Sequence, residues 1–273
     1  MSISLKQIFK SETKLVIGSL HFPPLLGFED FPGFKASLKM ALQDLRAYEV
    51  GGADAIFLEN NYGLSAEKIT KPQAVAMGYL IGEIRAHTTL PLGVSVLWND
   101  YETAFALATS YNLQFIRIPV FVDTVKPYCG LIKGTPKDVQ RVRKNLRADG
   151  VAIYADIMVK HAEHISTHTL ATSARKAIKA GADAVIVTGN WTGDAPTAET
   201  VTDLRKKIGT FPILIGSGAD KNNVATLLSA ANGVIVSTSL KKGVVQKLER
   251  NVKGFQQRVQ KSKVKAFVAQ SKK

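Results

Sequence analysis

The chain has 273 residues, 45% of them hydrophobic, which is enough to bury one large core, and a single cysteine, Cys129, which excludes an intrachain disulfide and a cysteine metal cluster. No stretch approaches the ~18 uncharged apolar residues of a membrane helix, and the start MSISLKQIFKSETK lacks the apolar segment and cleavage site of a signal peptide, so a cytoplasmic protein without an integral membrane segment is expected. The net charge of +14 is uneven: residues 241–273 hold 11 Lys and Arg against Glu249, net +10, leaving 25 basic and 21 acidic residues, net +4, in the first 240. Nucleic acid is therefore not the expected partner; contacts of the basic end with an acidic surface and a homo-oligomer both stay open.

Eight apolar, β-branched runs follow one another along the chain: 15–22 (LVIGSLHF), 54–61 (DAIFLENN), 91–98 (PLGVSVLW), 115–122 (FIRIPVFV), 151–160 (VAIYADIMVK), 183–189 (DAVIVTG), 212–218 (PILIGSG) and 233–239 (GVIVSTS). Segments such as FKASLKMALQDLRAYEVGG and LATSARKAIKAGA, with apolar residues recurring at three and four, lie between them and predict helices. Eight strand–helix units in about 250 residues predict an α/β fold, a (β/α)8 TIM barrel of the phosphate-binding type. GGADAIF at 51–57 and GADAVIV at 181–187 make the helix-to-strand connections short, whereas 22–34, 123–135 and 189–197 make long strand-to-helix loops, where barrel enzymes carry their chemistry. Toward the end, Val244, Val245, Leu248, Val252, Phe255 and Val259 are spaced mostly at three and four, as in a helix with one apolar face. The expectation is one barrel domain over 1–260 and a basic tail, 261–273, whose residues form a solvated extension.

Strand alternation sorts the polar residues by face. In VAIYADIMVK, Ile153, Ala155, Ile157 and Val159 face the helices, which turns Tyr154, Asp156, Met158 and Lys160 inward. The same rule places Arg117 and Asp123 inside on the fourth strand, Glu59 on the second, His21 after Ser19 on the first, Asn99 after Ser95 on the third, and Thr188 and Asn190 on the sixth. Glu59, Arg117, Asp156 and Lys160 should meet at the barrel centre, with Asp156 neutralising Arg117 below and Lys160 meeting Glu59 or a substrate at the mouth. Crowded charges of this kind either form a structural network or prepare groups for acid–base work. His161, His164 and His168 would converge on one helix, but His161 ends a strand, so the spacing breaks and no metal is expected. No P-loop or dinucleotide fingerprint occurs, and no cofactor is expected.

GSGADKNN, at 216–223, closes the seventh strand, and STS ends the eighth. Loops after these two strands commonly cradle phosphate, because small residues let backbone N–H groups approach an anion. Gly216, Ser217, Gly218, Ser237 and Thr238 are the candidate phosphate ligands; the alternative is that they only turn the chain tightly. GSGADKNNVATLL with NGVIVSTSLKK, ENNYG at 59–63, LGVSVLWND at 92–100, VKHA at 159–162 and TGNWTG at 188–193 together resemble the BtpA/SgcQ family over residues 14 to 245. That resemblance implies a TIM-like barrel resembling phosphate-binding barrels. It also implies an association with photosystem I biogenesis in cyanobacteria, and a more general, enzymatic role in organisms without photosynthesis. The chain departs from the family pattern at Asn61-Tyr62-Gly63-Leu64, where an Asp and a Pro-Phe are common, and at Trp98, where a basic residue is common.

The reading that follows is an enzyme acting on a small phosphorylated substrate, a sugar phosphate or nucleotide. Glu59, Asp156, Lys160 and His21 are the candidate catalytic groups, and Asn60, Asn99, Arg117, His161, Thr188 and Asn190 the candidate substrate contacts. Proton abstraction, aldol chemistry through a lysine Schiff base and N-glycosidic hydrolysis are all open to a carboxylate and an amine. The alternative is a non-enzymatic assembly or stability factor.

Overall fold

The computed structural model describes residues 2–9, 11–62, 66–190, 193–242 and 254–273. Eight parallel strands close into a barrel: β1 (Leu15–His21), β2 (Ala55–Glu59), β3 (Leu92–Ser95), β4 (Phe115–Ile118), β7 (Ala152–Ile157), β9 (Ala184–Val187), β10 (Ile213–Ile215) and β11 (Gly233–Val236). Ladder contacts join Leu15 to Gly233 and Ile17 to Ala55, so β1 pairs with both β11 and β2 and no edge remains. The predicted (β/α)8 barrel is the observed fold, and all eight predicted strands are present.

Around the barrel lie α2 (Phe34–Gly51), α3 (Lys71–Ala86), α4 (Tyr101–Ser110), α5 (Pro136–Asn145), α6 (Leu170–Lys179), α7 (Ala198–Ile208) and the one-turn α8 (Val224–Leu227). Their starts follow local chemistry. Asp100 accepts from the N–H of Thr103, Thr169 from that of Thr172, and Thr197 from that of Thr200, and Thr70 and Gln73 form a capping box.

The period of two divides the core into two layers. Val16, Leu20, Ile56, Leu58, Ile116, Ile153 and Ala155 pack outward against the helices. Leu15, Ile17, Phe57, Phe115, Tyr154, Ile186 and Leu214 fill the interior, where the Phe115 and Tyr154 rings stack at 4.8 Å. A short α1 (Leu5–Ile8) plugs the floor, with Leu5 and Phe9 buried in the interior layer and Ile3 N–H bonded to Asp183 at 2.6 Å. A small antiparallel sheet in the order β6 (Ile132–Lys133), β5 (Thr124–Lys126), β8 (Glu163–His164) is built from the long loops after β4 and β7.

The C-terminal end corrects the expected solvated extension. Residues 261–271 form α9 (Lys261–Ser271), which packs against α2 and α8, in the place of the eighth barrel helix, with Val264 and Phe267 at 0% and 1% exposure. The approach to α2 is close because Gly51 has no side chain: a Cβ there would stand 2.2 Å from Val264 Cγ1. Just before it, Arg258 bonds Asp44 at 3.0 Å, Val259 N–H bonds the same carboxylate at 2.8 Å, and Val259 bridges to Lys241. Of the residues expected to form the closing helix, Val244, Val245, Leu248 and Val252 lie outside the described residues, and Phe255 and Val259 precede α9. The sparse apolar pair in KSKVKAF hides the burial, because the small residues that receive it are on α2.

Candidate functional site

At the C-terminal ends of the strands lies a cavity of about 310 Å³. Its walls include Glu59, His21, Lys160, Asn60, Arg117 and His161 from the expected catalytic and substrate groups, and all five candidate phosphate ligands, Gly216, Ser217, Gly218, Ser237 and Thr238. Strand register does this. Ser19, His21 and Glu59 are inward positions of β1 and β2, with His21 and Glu59 as direct partners.

Arg117 organises the charges below the mouth. Its Nε and Nη2 donate to Asp156 at 2.7 and 2.8 Å, and its Nη1 donates to Glu59 at 3.3 Å. The guanidinium also lies over the Phe57 ring, 5.9 Å from its centroid. Burial works against its charge, but Asp156 first and Glu59 second outweigh that and hold it cationic. The Asp156 side chain is fully buried and is not part of the cavity wall, so it acts on the site through Arg117.

Glu59 also accepts from the Ser19 hydroxyl at 2.8 Å and the Asn61 amide at 3.2 Å. Burial alone would raise its pKa; the hydrogen bond from His21, the Arg117 charge and the Ser19 hydroxyl prevail and hold it at about 2. The His21 Nε2 lies 3.1 Å from the Glu59 carboxylate and its Nδ1 3.5 Å from the Lys241 ammonium. Since the ammonium can only donate, Nδ1 accepts and Nε2–H donates to Glu59. Burial first and the Lys241 charge second lower the pKa of His21, so the ring is neutral and what it gives Glu59 is a hydrogen bond.

Lys160 differs from its neighbours. It makes no hydrogen bond or ion pair with the described residues, and neither Glu59 nor Asp156 is within salt-bridge distance. Burial first and the Arg117 charge second push its pKa down to about 8, against the pull of Glu59 and Asp156. A lysine in that range keeps about a tenth of its population as free amine at pH 7, far more than an ordinary lysine, and that fraction can act as nucleophile or base.

Three expected contacts are not on the cavity wall. β3 stops at Ser95 and Leu97 turns left-handed (φ +48°), its N–H held by Asn60 Oδ1 at 3.1 Å, so alternation does not carry Asn99 inward. β9 stops at Val187; Thr188 packs beneath Gly216, and Asn190 is exposed. Met158 is corrected likewise: it lies beyond the end of β7 with φ +55° and is 36% exposed. Asp123, expected inside, instead takes Ser173 of α6 at 2.7 Å and His168 at 3.0 Å. His164 bonds the Val159 carbonyl at 2.9 Å, so His161, His164 and His168 do not converge.

Residue-by-residue reading missed Lys241, 2% exposed and on the cavity wall, although it directly follows the STSL loop. Trp98 and Tyr128 were missed too: their rings meet edge to face at 6.4 Å in another part of the wall. Trp98 was visible only as a departure from a pattern, and nothing in the sequence marks Tyr128.

The N–H groups of Ser217, Gly218, Ala219, Thr238 and Ser239 donate to no acceptor among the described residues. Gly218 has φ +71°, and a Cβ there would stand 2.1 Å from the Ala195 nitrogen, so its glycine is fixed by backbone packing as well.

The BtpA family model matches residues 12–273, nearly the whole chain. The chain belongs to the BtpA family. Among its relatives, this BtpA-family protein is 36% identical over 244 residues to the photosystem I biogenesis protein BtpA of Synechocystis, an alignment covering 88% of this chain and 84% of that one. Two solved structures share the fold. GGGPS from Thermoplasma volcanium has a TM-score of 0.62 at 12% identity, covering 99% of this chain and 98% of that one. N-(5'-phosphoribosyl)anthranilate isomerase from Pyrococcus furiosus has a TM-score of 0.57 at 15% identity, covering 94% and 98%. Among the described residues, no helix of this BtpA-family protein is long and apolar enough to cross a membrane.

Proposed function

We propose that this BtpA-family protein is an enzyme acting on a small phosphorylated metabolite, with Lys160 as its reacting amine. The observation that carries the reading is Lys160 in the cavity wall, unpaired among the described residues, with a pKa of about 8 and an Arg117–Asp156–Glu59 cluster of net negative charge beside it. A buried lysine without a partner costs stability and is retained where it meets a ligand. Glu59 at about 2 is a weak base, so its role is to hold negative charge beside the amine, with His21 and Ser19 fixing its orientation. The substrate's phosphate takes the N–H groups of the 217–219 and 238–239 loops that donate to no acceptor among the described residues. The phosphoribosyl named in the Pyrococcus furiosus isomerase fits the same use of this fold.

Toward a carbonyl substrate the chemistry is complete. The free amine adds to the carbonyl carbon, a proton passes from nitrogen to oxygen, and loss of water leaves an imine on Lys160. The test is borohydride reduction during turnover of candidate sugar phosphates, followed by peptide mass analysis. An adduct on Lys160 that is absent from Lys160→Met supports the imine. Turnover without an adduct makes Lys160 a base. Binding of phosphate is tested separately with Thr238→Glu, which should lower inorganic phosphate affinity at least tenfold; unchanged affinity removes the loop from the reading.

The name of the cyanobacterial relative favours a second reading, an assembly factor that uses the barrel as a scaffold. A scaffold tolerates Glu59→Gln and Lys160→Met without loss of function, and an enzyme does not.

A further inference from the structure

The barrel mouth has two unlike sides. In the closed ring, β3 and β10 are four places apart in either direction, so the loops that follow them face each other across the opening. The β10 and β11 side presents small residues, Gly216 to Ala219 and Ser237 to Ser239. The opposite side presents Leu97 and Trp98 after β3, Pro119 after β4, and Tyr128 from the β5–β6 turn.

That second side is a built aromatic face. Trp98, 7% exposed, is packed with Val120, Val125, Ile132 and Val159 in a cluster separate from the rest of the core. The small β6–β5–β8 sheet supplies Val125 and Ile132, which fixes the indole in place. Tyr128, 39% exposed, meets it edge-on at 67°. Leu97 and Pro119 offer no side-chain hydrogen-bonding group, so sugar hydroxyls laid here would lose water without replacement, whereas a flat apolar ring would gain contact. Arg117 and Lys160 lie on the wall of the same cavity. A ligand with phosphate on the small-residue loops that extends across the cavity therefore reaches the Trp98 face with its far end.

We propose that the substrate is a phosphate ester whose far end is a flat aromatic or heteroaromatic ring seated on Trp98 and Tyr128. The proposal rests on the phosphate reading above for the placing of the other end, and on nothing about the reaction. Calorimetric titration with inorganic phosphate, ribose 5-phosphate, adenosine and adenosine 5'-monophosphate separates the two. Adenosine 5'-monophosphate should bind at least tenfold tighter than ribose 5-phosphate. Trp98→Leu should remove that advantage and leave ribose 5-phosphate affinity unchanged. Tyr128→Ala, at a more exposed position that folding tolerates, should reduce the advantage several-fold. Equal affinity for the two phosphates in the native protein, or equal losses for both in the variants, overturns the proposal. Adenosine binding with neither inorganic phosphate nor ribose 5-phosphate bound leaves the aromatic face standing and removes the phosphate reading, and absence of binding by all four probes removes both.

Discussion

Arg117 grips Asp156 with two parallel hydrogen bonds, at 2.7 and 2.8 Å, and has one nitrogen left for Glu59 at 3.3 Å. The bidentate pair fixes the guanidinium plane, and with it the position of Glu59 on the cavity wall.

Asp156→Ala should therefore destabilise the fold by about 3–5 kcal/mol, because it leaves a buried arginine cation with only Glu59 to balance it. Denaturant unfolding measures this. A loss below 1 kcal/mol would mean that water or a shift of Glu59 satisfies Arg117 instead.

Lys160→Met should abolish turnover and raise stability at neutral pH, on the order of 1–3 kcal/mol, since a charged lysine whose pKa is depressed on folding opposes folding. The folded value of about 8 lies below the ordinary 10.5, so the unfolded chain binds more protons between these limits. Stability of the native protein should therefore rise with pH across that window, and the methionine variant should lack the rise. If the free amine is the reacting form, activity should climb with pH to a plateau above about 8.

Glu59 has the opposite sign. Its folded value of about 2 lies below the ordinary 4.5, so its contribution is complete above 4.5 and is lost as pH falls toward 2. Glu59→Gln should flatten this part of the acid unfolding curve. An unchanged curve would assign the acid sensitivity to other carboxylates.

Removal of residues 262–273 should lower the melting temperature sharply. Val264 and Phe267 are buried against the barrel, and Phe267→Ala alone should cost about 3–5 kcal/mol. A truncation without effect on melting would show that α9 contributes nothing to the closed barrel.

The barrel was legible in the sequence because its cause is local and repeated. Eight β-branched runs with short helix-to-strand turns leave little else to build, and the period of two within LVIGSLH and VAIYADI assigns inner and outer residues without reference to any partner. His21, Glu59, Arg117 and Asp156 follow from that rule, since each lies within a regular strand. Where a strand ends was not legible. Leu97 and Met158 turn left-handed although neither is glycine, and these turns are imposed by contacts with Asn60 and Asp123 from other strands and loops. Asn99 was misplaced for that reason. The tertiary structure alone decided that α9 docks, because its burial depends on Gly51 and Asp44 more than 200 residues away. It alone decided that Lys160 has no partner among the described residues: the sequence supplies two acids for two cations, and only geometry shows that Arg117 engages both.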